Sequence, residues 1–156
     1  MAKTIARKAY DQALAFAYIN DEYRRKPFTL AHVGDDATIL MPAAFCNIAF
    51  ACELFMKAIL FTTEEHGDST SIRDHSLERL FFMLPSNLQA RIKNEIVVSD
   101  ANPASFDERL SNSANSFERF RYAYEHDTLS MDIIFLSAFE CVLWRVAREL
   151  IVDSVK

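Results

Sequence analysis

The sequence predicts an all-α fold, a four- to five-helix up-and-down bundle, on three observations. The chain of 156 residues contains only two glycines and four prolines, too few for a turn-rich all-β fold. Apolar residues recur at steps of three and four along most of its length. No segment shows the strict alternation of a half-buried strand. The length fits one domain, residues 1–156, with a sizeable core.

The first two helices are predicted at residues 4–25 and 40–62. Small residues recur at helical spacing in the first, which allows close approach by a neighbouring helix. Its end is predicted at Lys26 and Pro27 because the residue before a proline disfavours the helical conformation. Pro42 fits the first turn of the second helix, where the missing N–H has no helical partner.

A third helix begins near His75 and Ser76 and is interrupted by Pro85, with a continuation at residues 87–97. The fourth begins at Ser105, where Ser105 to Glu108 matches a capping box.

Apolar residues mark one face of this fourth helix as far as Tyr124, and an interruption is predicted at residues 126–128. The fifth helix is predicted at residues 129–152. The chain is therefore predicted to be helical along its whole length, with polar segments connecting the helices.

The apolar segment 39–61 is long enough to cross a membrane, but it contains Glu53 and Lys57. Each central charge costs about 2.5–3.5 kcal/mol on insertion scales. We therefore predict a core helix and no membrane association. Glu53 and Lys57 are four residues apart and can pair. They are either a polar element inside the bundle or a solvated pair.

The composition limits the classes of partner. A net charge of −5 argues against non-specific binding to DNA or anionic membranes, which needs a broad positive field. Three unpaired cysteines indicate a reducing, cytoplasmic location. No CxxC or helical histidine pair is present, so neither a metal nor a cofactor is predicted. The 51% hydrophobic content, with 13 phenylalanines, exceeds what a small monomer needs and suggests a homodimer.

Arg121 and His126 are the candidate catalytic residues. A guanidinium binds phosphate through bidentate hydrogen bonds, and an imidazole moves protons near neutral pH. Together they can cleave a phosphodiester in RNA without a metal. Residues five apart on a regular helix point about 140° apart, so the helix must end between them for the two to converge. The structural alternative is a helix-end cation and a loop histidine.

Nearby side chains are possible supporting residues. Tyr122 and Tyr124 either stack on bases, pack in the core or form a hydrogen bond to a helix end. Glu125 either orients His126, pairs with Arg121 or is simply a helix-end carboxylate. The Glu53–Lys57 pair is a further candidate, whereas His75 is interpreted as a capping or packing residue.

Three stretches, residues 47–60, 75–81 and 117–125, together resemble the HEPN domain superfamily, in its branch with an Arg-Tyr-x-Tyr-Glu segment before the last helix. The resemblance implies a compact helical domain that forms a symmetric dimer. Many members are metal-independent endoribonucleases of toxin–antitoxin, antiphage defence and RNA-processing systems. Their signature, an arginine followed after four to six residues by histidine, matches Arg121 and His126.

Active members of the superfamily usually carry a polar residue directly after the arginine, where this chain has Tyr122. The alternative hypothesis is therefore a non-catalytic HEPN-like module. Its partner would be a nucleotide, a nucleotidyltransferase-type antitoxin or another defence protein. The acidic net charge favours this alternative, and the Arg-x4-His spacing favours the nuclease.

Overall fold

A computed structural model describes residues 2–25, 41–63, 66, 71–96, 104–122 and 131–153. These residues form seven α-helices and no strand, so the all-α prediction is confirmed. In chain order the helices are α1 (Ala2–Arg25), α2 (Met41–Leu60), α3 (Leu77–Met83), α4 (Ser86–Glu95), α5 (Phe106–Asn112), α6 (Ser116–Arg121) and α7 (Ile133–Ile151).

Helix α2 lies at the centre and contacts α1, α3, α6 and α7. Its apolar side chains point in all directions, as expected of a helix surrounded by others, and Phe55, Met56 and Ile59 are fully buried. The segment Ala43–Leu60 is long and apolar enough to cross a membrane by length and composition alone, but 72% of it is buried inside the fold. The prediction of a core helix is therefore confirmed.

Helix α1 packs against α2 through small residues. Ala6 and Ala13 are buried, and the ring of Tyr10 lies 5.9 Å from that of Phe55. Alanines bring the two backbones close, and the tyrosine fills the remaining space against α2. The predicted bounds of both helices agree with the structure to within two residues.

Helices α3 and α4 are the two halves of the predicted third helix, and Pro85 separates them as expected. Ser76 caps α3, its hydroxyl accepting a hydrogen bond from the backbone N–H of Arg79 at 3.3 Å. A serine at this position satisfies one of the free donors of the first turn.

The predicted capping box at the start of α5 is confirmed. Ser105 Oγ accepts from the backbone N–H of Glu108 at 3.3 Å, and Glu108 Oε2 accepts from the backbone N–H of Ser105 at 2.8 Å. Glu108 Oε2 also accepts from the Ser105 hydroxyl at 3.0 Å. The two hydrogen bonds that this carboxylate accepts from Ser105 lower the pKa of Glu108, because they stabilise its charged form.

The prediction of one continuous helix from Ser105 as far as Tyr124 is wrong. Residues 113–115 form a turn between α5 and α6, and α6 already ends at Arg121. Two causes act together. Serine and asparagine around this turn are weak helix formers, and the carbonyl of Ala114 accepts a tertiary hydrogen bond from the backbone N–H of Leu77 at 2.8 Å.

The predicted start of the last helix near residue 129 is also wrong, because α7 begins after Asp132. Asp132 caps this helix by accepting from the backbone N–H of Phe135 at 3.0 Å. It also accepts two hydrogen bonds from Arg109, at 2.6 and 2.8 Å. The Arg109 side chain is only 5% exposed, so this bidentate pair ties α5 to the start of α7 within the protein interior.

We expect Asp132→Ala to lower the free energy of unfolding by about 3 kcal/mol, because it removes the bidentate carboxylate partner of a buried guanidinium and also removes a helix cap. Urea unfolding followed by circular dichroism at 222 nm measures this. Asp11→Ala is the matched control, since Asp11 pairs with Arg7 at the surface, and it should change stability by less than about 1 kcal/mol. Equal losses in both variants would contradict the structural role of the buried pair.

Candidate functional site

Arg121 is the last residue of α6, and its side chain is exposed. Its guanidinium carbon lies 5.5 Å from the ring centroid of Tyr122, a cation–π distance. Tyr124, Glu125 and His126 lie outside the described residues, so the Arg121–His126 pairing stays a prediction. The helix ends before Tyr122, earlier than predicted.

Glu53 and Lys57 form a polar element inside the bundle. The Glu53 side chain is 1% exposed and that of Lys57 11%. Lys57 Nζ donates to Glu53 Oε1 at 2.7 Å. The interpretation as a solvated pair is therefore wrong, and the interpretation as an interior polar element is confirmed. A buried charge of this kind requires a charged partner close by.

His75 completes this cluster through an internal contact and is not the cap of α3. Its Nδ1 lies 2.9 Å from Glu53 Oε1, whereas the neighbouring Ser76 is the helix cap. The imidazole is 67% exposed, so one edge meets a buried carboxylate and the other faces outward. We refer to Glu53, Lys57 and His75 as the interior triad.

The interior triad determines the tautomer of His75. A carboxylate paired with an ammonium group can only accept hydrogen bonds, so Nδ1 of His75 must carry the hydrogen that it shares with Glu53. Nε2 of the neutral ring then has its lone pair on the exposed edge. This is the arrangement of histidines that exchange protons with a ligand, in which a carboxylate fixes the tautomer and orientation of the ring.

Glu53 is not fully satisfied by these contacts. Its Oε2 is buried and has no hydrogen-bond partner within the described part of the chain. A buried polar atom left unpaired costs about 1–3 kcal/mol. Burial of Glu53 therefore carries a cost in stability, and an unsatisfied buried group of this kind is explained by an ordered water, an ion or a role in binding.

A cleft of about 400 Å³ opens beside His75, between the segment before α3 and the start of α6. Arg79 Nε donates to Asp74 at 2.7 Å across its rim. This hydrogen bond lowers the pKa of Asp74, which keeps the carboxylate charged. The cleft is lined by Arg73, Asp74, His75, Ser76, Arg79, Asn115 and Glu118. We call it the His75 cleft.

The His75 cleft and Arg121 share one side of α6. Glu118 lines the cleft, and Arg121 follows it by three residues, so the two lie on the same helix face one turn apart. The hydrogen bond from Leu77 to Ala114 holds the start of α3 against the turn before α6. Within the described residues, no three His, Cys, Asp or Glu side chains are grouped as metal ligands.

His75 is the residue that the sequence interpretation missed. Its signal lay in α2, where Glu53 and Lys57 interrupt an otherwise apolar helix. A carboxylate at the centre of such a helix requires partners. One lies four residues away, but nothing in the local sequence shows that the other lies 22 residues away.

We predict that neutral His75 carries its hydrogen on Nδ1, and that Glu53→Gln moves the tautomer equilibrium toward Nε2–H, because the carboxylate that fixes Nδ1–H is lost. The ¹⁵N chemical shifts of the ring report both forms. Asp74→Asn is the matched control, because it removes a neighbouring charge that binds Arg79 and leaves Glu53 in place. An unchanged tautomer ratio in Glu53→Gln would refute the orienting role of Glu53.

The interior triad also makes a prediction about stability. Lys57→Met alone should lower the free energy of unfolding by about 3–5 kcal/mol, because the buried Glu53 carboxylate loses its ammonium partner. The double variant Glu53→Leu/Lys57→Met should recover that loss or exceed wild-type stability by about 1–4 kcal/mol. Urea unfolding compares the three proteins. A double variant less stable than Lys57→Met would show that the pair is retained for stability.

Comparison of the chain with protein-family models, with curated proteins and with solved structures finds no match. What this protein does is therefore argued from its own residues. Two features bear on its function. One is the exposed guanidinium of Arg121 at the end of α6, and the other is the His75 imidazole, which lines the adjacent cleft.

Proposed function

We propose that this protein is a HEPN-like, metal-independent endoribonuclease of a toxin–antitoxin or antiphage defence system, with Arg121 and His126 as its catalytic residues. The observation that carries the proposal is the position of Arg121. It ends α6 with an exposed guanidinium, on the helix face that also borders the His75 cleft. An RNA strand lying along this face would meet a phosphate-binding cation beside a cleft with polar walls.

The chemistry requires three events at the scissile phosphate. The 2′-hydroxyl loses a proton and attacks the phosphorus, the charged phosphorane is stabilised, and the 5′-oxygen leaves with a proton. Arg121 holds the phosphate and offsets its growing charge. His126 exchanges the proton, as base for the 2′-hydroxyl or as acid for the leaving oxygen. The products are a 2′,3′-cyclic phosphate and a 5′-hydroxyl end.

The active form in this proposal is a cytoplasmic homodimer in which two copies of the Arg121–His126 pair face one groove. Large apolar side chains on the surface support such an association, because stable self-association buries apolar surface. Tyr18 and Ile19 on α1, Phe82 on α3 and Ile134 on α7 are all at least half exposed. A dimer would let each copy supply groups to a shared site.

The contact between Arg121 and Tyr122 favours a second candidate function, a non-catalytic binding module. An exposed aromatic ring beside a guanidinium offers a nucleotide base a stacking surface and its phosphate a cation. Such a module would bind a nucleotide, a nucleotidyltransferase-type antitoxin or another defence protein without turning over RNA. Cleavage of RNA distinguishes the nuclease from the binding module.

We expect the purified protein to cleave single-stranded RNA in EDTA and to leave 2′,3′-cyclic phosphate ends. His126→Ala and Arg121→Ala should each lower the rate by about 10²–10⁴-fold, because a proton-transfer group or a transition-state cation is lost. Denaturing gels and end-group mass spectrometry measure rate and product.

Arg119→Ala is the control, since Arg119 is an exposed arginine on the same helix, and its rate should stay within about threefold of wild type. RNA left intact at high protein concentration would contradict the nuclease. If the intact RNA or a nucleotide is nevertheless bound in an Arg121-dependent manner, the binding module is the correct function.

A further inference from the structure

We propose that the His75 cleft is a phosphate-binding site in which His75, oriented by the buried Glu53–Lys57 pair, donates a hydrogen bond from Nε2 to a phosphate oxygen. The ligand is a phosphate ester, carried by an RNA strand or by a free nucleotide. This inference deepens the proposed RNA chemistry and rests on it only for the origin of the phosphate. The site itself is independent of Arg121 and His126.

His75 is held in place by a buried carboxylate. Its ring is 67% exposed, yet its Nδ1 is anchored at 2.9 Å to a carboxylate that is almost completely buried. A histidine that binds an anion in its charged form is stabilised by a carboxylate on its other nitrogen, because the carboxylate stabilises the imidazolium. This function accounts for a buried carboxylate next to an exposed ring.

Two cationic side chains lie close to the imidazole. Arg73 and Arg79 both line the cleft and are both exposed. Arg79 is held by Asp74 through its Nε, which orients the guanidinium beside the cleft. Two guanidiniums and one imidazolium around a cavity of this size suit a phosphate group, whose oxygens accept several charge-assisted hydrogen bonds at once.

A proton on His75 adds positive charge to a cleft of mixed charge. Its walls carry Arg73 and Arg79 together with Asp74 and Glu118, and Glu78 acts on Arg79 from nearby. Uptake of one proton at Nε2 adds one positive charge next to a bound anion. A bound phosphate and that proton therefore stabilise each other. The selective response of His75 to a phosphate is the measurable consequence.

The walls of the cleft offer more than cations. Asn115 and Glu118 line the cleft from α6 and the residue before it. The Asn115 amide can donate or accept hydrogen bonds with ribose hydroxyls, and the Glu118 carboxylate can accept them. This mixture of groups favours a nucleotide-linked phosphate over a bare anion.

The test follows the ¹⁵N signals of the His75 ring near pH 7, assigned with His75→Gln, during addition of three probes. The probes are inorganic phosphate, adenosine monophosphate and a 2′-O-methyl oligoribonucleotide, which lacks the free 2′-hydroxyl needed for cleavage. We expect saturable movement of the Nε2 signal toward the imidazolium position. Tighter binding of the oligonucleotide identifies an RNA strand as the source, and tighter binding of the monophosphate identifies a free nucleotide.

Arg73→Gln/Arg79→Gln should weaken binding of the preferred probe by about ten- to a hundredfold, the effect of losing charge-assisted hydrogen bonds. Arg7→Gln/Arg145→Gln is the matched control. It removes two surface arginines that do not line the cleft, and affinity should stay within about threefold of wild type.

Two results would overturn the proposal: no movement of the His75 signals with any probe, or equal weakening in both double variants. The proposed nuclease fails separately. Phosphate binding at His75 in a wild-type protein that cleaves no RNA in EDTA would refute the nuclease alone.

Discussion

The burial of one carboxylate, that of Glu53, determines how the His75 cleft is built. Glu53 lies in the middle of the central helix, in the most apolar part of the chain, where an isolated charge is very unfavourable. It is tolerated because Lys57 pairs with it from the next turn and His75 contacts it from another segment. The segment before α3 is thereby attached to the core through a polar contact, and a titratable ring is held at the surface with one edge anchored.

Two further tertiary contacts build the surroundings of that ring. The Leu77–Ala114 hydrogen bond holds the start of α3 beside the turn between α5 and α6, which brings Asn115 to the cleft next to His75. The Arg109–Asp132 pair connects α5 with the start of α7. Each contact links segments far apart in sequence. The cleft is therefore a product of how the helices are tied together, since its lining comes from two separate parts of the chain.

Both ends of α6 contribute residues to the proposed chemistry. Its first turn helps to line the cleft that the interior triad serves, and its last residue presents Arg121 on the same face. A strand of RNA that contacted both would meet three guanidiniums and an imidazole in succession, although the protein as a whole is acidic. Attraction would then be local, confined to one groove, and the negative surface elsewhere would disfavour non-specific nucleic acid binding.

The sequence by itself determined the helical class, the central position of α2, the break at Pro85 and the cap at Ser105. These features depend on periodicity, proline and capping chemistry, all of which act over a few residues. The starts of α6 and α7 were decided by tertiary contacts, because Leu77 and Arg109 supply partners from elsewhere in the chain. The position of His75 was decided in the same way. Folding places a buried carboxylate against one nitrogen of its imidazole, and no local pattern in the sequence encodes that contact.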